Sequence, residues 1–129
     1  MNVNIQKTTE YYKTAKPCDC DVCRYFCSHI RALRPDIAAY LDTLGVDIEK
    51  PFELVWLEND KDFSSVQFIG CQYIVFGTCE KDFSHKIGDI EFINNLNMHP
   101  STDISEDHFV LDLGEITMNT EEKKKCITG

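Results

Sequence analysis

Residues 18–45 read CDCDVCRYFCSHIRALRPDIAAYLDTLG, and this stretch sets what the rest of the chain must fold against. Val22, Phe26, Ile30 and Leu33 are spaced four, four and three residues apart. At about 100° per residue they fall within roughly 80° of one another, which is one face of a helix running from about Asp21 to Leu33. Pro35 then resets the chain. Proline at the first position of a helix gives up no backbone hydrogen bond, and Asp36 beside it suits the positive helix end. Ile37, Leu41 and Leu44 repeat at four and three, and Gly45 stands where a left-handed terminator is wanted. A second short helix is therefore expected over Pro35 to Leu44.

Upstream, residues 1–17 carry few core signals and end at Pro17, which predicts an extended arm. Downstream, the pattern turns aromatic and β-branched. Phe52 to Leu57 makes one strand, and Glu58 to Asp62 a polar turn after it. Val66 to Ile69 and Gln72 to Thr78 make one or two strands, with Gly70 and Gly77 as bulge or turn positions. Asp89 to Ile93 is a short strand, Asn94 to Asp103 has the composition of a loop, and His108 to Leu113 is the last strand, ending at Gly114. Helices followed by strands, with no βαβ rhythm, predict an α+β fold: two short N-terminal helices on one face of a mostly antiparallel sheet of about four or five strands. The chain is expected to be a single domain over 1–129, with an arm (1–17), a helical segment (18–45), a sheet (52–118) and a flexible tail (119–129) that includes Lys123-Lys124-Lys125.

Composition narrows the function. At 129 residues, 43% hydrophobic and 27% charged, the chain suits one packed core. Lys and Arg number 13 against 22 Asp and Glu, so the net charge is 13 − 22 = −9. A phosphate backbone would be repelled, and nucleic acid is not an expected partner. The start, MNVNIQKTTEYYKT, has no apolar stretch behind a basic lead, and purely apolar runs are only four or five residues long, as in Tyr73 to Phe76 and Ile37 to Leu41. A membrane-spanning helix needs about 20. The expectation is a cytoplasmic protein without a membrane span. Seven cysteines in such a compartment are thiols, metal ligands or redox groups rather than a disulfide framework.

Four of those seven lie within ten residues, at Cys18, Cys20, Cys23 and Cys27. A helix covering all of 20–27 would separate Cys20 from Cys27 by about 10 Å of rise. A zinc ion holds sulfur at about 2.3 Å and cannot collect ligands from successive turns of a rigid helix. A single metal site therefore requires the helix to begin after Cys20, with Cys18 and Cys20 from the loop and Cys23 from the first turn. The fourth ligand would be Cys27, or a distant Cys71, Cys79 or histidine. The spacing matches neither paired zinc ribbons nor the ferredoxin run. Buried packing thiols are the plain alternative. Cys20-x-x-Cys23 is also a redox-type spacing, but no strand leads into it, and Asp19 and Asp21 are expected to raise the thiol pKa values.

The remaining polar residues give no converging catalytic set. His29 is expected as a core histidine bonded to a carbonyl, His85 and His99 as loop residues, and Asp107-His108 as a strand opening whose side chains point apart. Trp56, Phe52, Tyr73 and Phe76 belong to the core, while Tyr11-Tyr12 either anchors a partner or packs back on the sheet. Between 103 and 115 stand Asp103, Glu106, Asp107, Asp112 and Glu115 with no Lys or Arg, a candidate patch for a basic protein partner.

Cys18-x-Cys20-x2-Cys23 at a helix start, Leu44-Gly45-Val46-Asp47, Lys50-Pro51-x-Glu53 and Gly70-x-x-Tyr73-x3-Gly77 together resemble a family of small bacterial proteins of uncharacterised activity, over residues 12–80. Tyr25-Phe26 departs from that family's usual Asn-aromatic pair. The resemblance implies no reaction. In size, charge and lack of motifs the chain also resembles immunity proteins that neutralise bacterial toxins. The resulting expectation is a non-enzymatic interaction domain that binds a basic protein, with a zinc-binding module built on the cysteine cluster, or less favourably a thiol redox protein, as the alternatives.

Overall fold

A computed structural model describes residues 1–58 and 65–119. Most of the expected turn at 58–62 and all but the first residue of the expected tail, including the lysine run, lie outside the described residues. Among the described residues the order is β1 (Asn2–Val3), α1 (Ile5–Thr14), α2 (Asp21–Leu33), α3 (Pro35–Thr43), β2 (Glu53–Glu58), β3 (Ser65–Thr78), β4 (Ser84–Ile87), β5 (Ile90–Asn95), β6 (His108–Leu113) and β7 (Ile116–Asn119). The class is α+β and every strand pairing is antiparallel. Seven strands replace the four or five expected, because β1, β4 and β7 are short and polar enough to escape a period-two pattern.

β3 is the spine. On one side it pairs with β6 through Cys71 to Phe76 and with β7 through Ser65 to Phe68, and β6 carries β5 and then β4 outward. On the other side it pairs with β2 through Val66 to Gln72 and with β1 at Gly77 and Thr78. Val55 faces Gly70 while the next residue, Trp56, faces Phe68, so Ile69 is the extra residue of a bulge. The bulge lets Phe68 and Cys71 face the same way, and 65–78 runs as one strand through the Gly70 position.

Residues 1–17 are not an extended arm. α1 occupies the gap in β3's edge between its β1 and β2 pairings, and its side chains complete the ladder there. Asn4 donates its backbone N–H to Phe76 O at 2.9 Å, Thr8 Oγ1 accepts from Phe76 N at 3.1 Å, and Tyr12 Oη donates to Ile74 O at 2.7 Å. Asn4 caps the helix by accepting from Lys7 N at 3.0 Å. The sequence signal was thin because one of the two buried positions, Thr8 and Tyr12, is a polar residue. Of the Tyr11-Tyr12 alternatives, packing back on the sheet is the one observed.

α2 and α3 cover one face of the sheet. Tyr25, Phe26, Ile30, Ile37 and Leu41 are fully buried against Phe68, Tyr73, Phe92 and Leu111. Phe26 and Phe68 meet edge to face at 4.9 Å, and Tyr73 Oη donates to Ile48 O at 2.7 Å. Tyr73 and Phe76 are buried as expected, whereas Phe52 and Trp56 are only partly so. Leu33, expected on the buried stripe, is exposed, and Tyr25 takes its share of the core. α2 hands over to α3 at Arg34, whose guanidinium bonds both oxygens of Asp36 at 3.1 and 3.2 Å. α3 ends at Thr43, and Gly45 follows with φ of 83°. No helix among the described residues is long and apolar enough to cross a membrane.

Candidate metal centre

α2 begins at Asp21, as a single metal site requires, and Cys20 is its N-cap residue. The Cys20 sulfur accepts the backbone N–H of Cys23 at 3.5 Å. Cys18 sits in the loop just ahead and Cys23 in the first turn. The three sulfur atoms all lie within 4.8 Å of one another. In a tetrahedral zinc site, sulfurs at 2.3 Å from the metal stand about 3.8 Å apart, so small side-chain rotations close this triad around one ion. Cys18 and Cys20 are exposed and Cys23 is buried, which places the triad at the surface with its third member anchored in the core.

The local electrostatics favour thiolate at Cys20. Slight burial raises its pKa, but the Cys23 backbone N–H and thiol hydrogen bonds from Cys23 and Cys18 outweigh that and hold it below the ordinary thiol value. The sequence expectation that flanking aspartates would raise it is overturned. Arg24 meets Asp21 at 2.9 Å and Asp19 at 3.7 Å and offsets their charge. Cys23 is pushed up, by burial first and then by its two neighbouring sulfurs.

Cys27 lies outside the triad. One more helical turn displaces it by about 6 Å along the axis. Burial, then the Glu49 and Asp47 carboxylates, push its thiol up to about 11. Cys71 is wholly buried in β3, and Cys79 is half-buried after β3. Among the described residues no second group of His, Cys, Asp or Glu gathers in this way.

The histidines are engaged elsewhere. His29 Nδ1 lies 2.9 Å from Tyr25 O, the core-type carbonyl contact expected of it. His85 belongs to β4 rather than a loop and stacks on Tyr40 at 4.6 Å. His108 has Nδ1 2.7 Å from Glu106 O and Nε2 2.7 Å from Thr102 Oγ1. A carbonyl can only accept, so His108 carries a proton on Nδ1. Burial, then His99, lower its pKa, with Asp107 opposing.

The five acids of 103–115 do not form one patch. Asp103, Glu106 and Asp107 precede β6, where Glu106 pairs with Lys7 and Asp103 accepts from Ser101 Oγ at 3.0 Å. Glu115 follows β6 and accepts from Gln67 at 2.9 Å. The length of β6 puts about 20 Å between these two groups. Asp112 lies within β6, half-buried, and accepts from Asn95 Nδ2 at 2.8 Å.

Sequence reasoning missed the partners of Asp112. Gln72 Nε2 and Asn95 Nδ2 both donate to Met98 O, at 3.0 and 3.1 Å, and Met98 N donates to Asn95 Oδ1 at 2.8 Å. Gln72 faces Asp112 across the β3–β6 ladder, and Ile93 faces Asp112 across β5–β6. An alternating polar position in a strand was the available signal, but loop 96–107, which covers it, has no pattern. Comparison of the chain with protein-family models, curated proteins and solved structures finds no match, so the chemistry of these sites stands on their own geometry.

Proposed function

We propose that the protein is a zinc-binding module in which Cys18, Cys20 and Cys23 hold one ion. The observation that carries this reading is the convergence of three sulfurs from loop, cap and first turn to within 4.8 Å of one another. Thiolates select a soft or borderline cation, and a tetrahedral d10 ion such as zinc suits three sulfurs at one helix start. The bound ion would tie the loop after Pro17 to the first turn of α2. With three protein ligands the fourth position faces solvent, open to water or to a donor from outside the chain, because Cys27 is a turn away.

Elemental analysis after reducing purification and supply of one zinc equivalent tests this. The parent chain and Cys27→Ser are expected to retain one zinc per chain, and Cys20→Ser and Cys23→Ser to lose it. A parent chain that holds well under one equivalent, or a Cys23→Ser variant that holds as much as the parent, overturns the proposal.

A further inference from the structure

Among the described residues, α2 and α3 cover one face of the sheet and no helix covers the other. On that second face Val55, Leu57, Ile69, Ile93 and Met98 are each between 39% and 78% exposed. They include three of four strands in sequence across the sheet: Val55 and Leu57 on β2, Ile69 on β3 and Ile93 on β5. Met98 follows shortly after β5 and is tied to this face by its bonds with Gln72 and Asn95. Large exposed apolar side chains gathered on one face mark a docking surface more often than they mark ordinary surface.

The charge on this face is mostly negative. Register puts Glu53 opposite Gln72, which is itself opposite Asp112, and that row continues through Ile93 to Ser84. Glu91 and Glu115 stand on the same side. Among the described strand residues, Lys86 on the outermost strand, opposite Glu91, is the one lysine or arginine that register places here.

At the centre of the row the Asp112 carboxylate is hydrogen-bonded by Asn95, Gln72 and the Cys71 backbone, and one neighbouring acceptor lacks a donor. Asn95 Nδ2 serves Asp112 Oδ2 and Met98 O, Gln72 Nε2 serves Met98 O, and Met98 N serves Asn95 Oδ1. Gln72 is 3% exposed, and its Oε1 has no donor. Beside it the Asp112 carboxylate leans toward Gly70. A Cβ built there would lie 3.8 Å from Asp112 Oδ1 and 3.7 Å from Val55, and glycine leaves that space open. A buried acceptor without a donor is unfavourable, and positive charge beside the adjoining carboxylate suits such an acceptor-rich spot.

We infer that the second sheet face docks a basic protein partner, which sets an arginine, flanked by apolar side chains, against Asp112 over Gly70. Arginine fits because its planar fork of N–H donors matches the geometry of a carboxylate. The apolar residues on either side exclude water from that contact, the arrangement that makes a central residue dominate an interface.

The probe is an acetylated, amidated peptide of alternating leucine and arginine, titrated into the full isotope-labelled chain and followed by amide NMR shifts. Its leucine–glutamate counterpart is the control. Saturable shifts are expected at Val55, Ile69, Ile93, Met98 and Asp112, weakening as salt is raised to about 0.5 M. Asp112→Asn and, at an exposed site, Val55→Glu should each weaken binding about tenfold or more while the rest of the spectrum stays in place. The inference is overturned by an absence of saturable shifts, by shifts centred on residues 103–107 or on α2, by equal binding of the glutamate control, or by folded variants that bind as the parent does. A dimer of the chain that Val55→Glu dissolves would also overturn it, assigning the face to a second copy.

Discussion

Thr8 Oγ1 donates to Asn4 O at 2.8 Å and accepts from Phe76 N at 3.1 Å, so one hydroxyl closes a turn of α1 and an open position in β3. Thr8→Val keeps the shape and removes both bonds, leaving a buried N–H unpaired. It is expected to cost about 1–3 kcal/mol in urea unfolding. Tyr12→Phe, which strands Ile74 O, is expected to cost about 1 kcal/mol by the same measurement. A third residue sets a pH dependence. Burial raises the Asp112 carboxyl, against hydrogen bonds from Asn95 and Gln72 that lower it. A raised acid pKa means the folded state holds its proton more tightly than the unfolded chain does. The contribution of Asp112 is therefore most favourable below the ordinary carboxylate value of about 3.9 and declines as pH rises through the higher folded value. Asp112→Asn should raise stability at neutral pH relative to the parent and lose that advantage on acidification. Equal differences between the two proteins at pH 4 and pH 7 would contradict this.

At the scale of elements, α1 and β1 are held to β3 by close backbone approach. Gly77 has φ of 129°, and a Cβ on it would come within 2.1 Å of Asn2 O, so Gly77→Ala is expected to displace β1 and lower the melting temperature. Gly45 has φ of 83°, and a Cβ there would stand 2.6 Å from Thr9 Oγ1 and 2.7 Å from Ile5 O. Gly45→Ala should loosen α1 from the end of α3, read as faster amide exchange over Ile5–Thr14 with α2 unchanged. Gly45 was legible in the sequence as a helix terminator; its contact with α1 was not, since α1 itself was not. α2 and α3 were legible because their stripes are apolar at steady spacing, and Pro35 and Gly45 punctuate them. α1 was not, because its buried face is Thr8 and Tyr12 and its stability comes from a gap in a strand more than sixty residues away. β3 was legible in two pieces, and the Ile69 bulge explains why: an inserted residue breaks the alternation without ending the strand.

At the scale of the molecule, two features with separate chemistry sit on one scaffold: a thiol triad where the chain enters α2, and an acidic, apolar sheet face that the helices leave uncovered. The triad was partly legible. Cys18, Cys20 and Cys23 followed from the limited reach of one ion, whereas the spacing left the fourth ligand open. The acidic reading was legible only as a count, because charges adjacent in sequence are spread along the length of β6, while those that share a face come from β2, β5, β6 and the turn after β6. The most direct test of the zinc reading is X-ray absorption at the zinc edge on the protein carrying one zinc equivalent. The account predicts three sulfur neighbours at about 2.3 Å and one nitrogen or oxygen at about 2.0–2.2 Å. Four sulfurs would bring Cys27 or a distant cysteine into the site, and one sulfur or none would deny the triad; either result contradicts it.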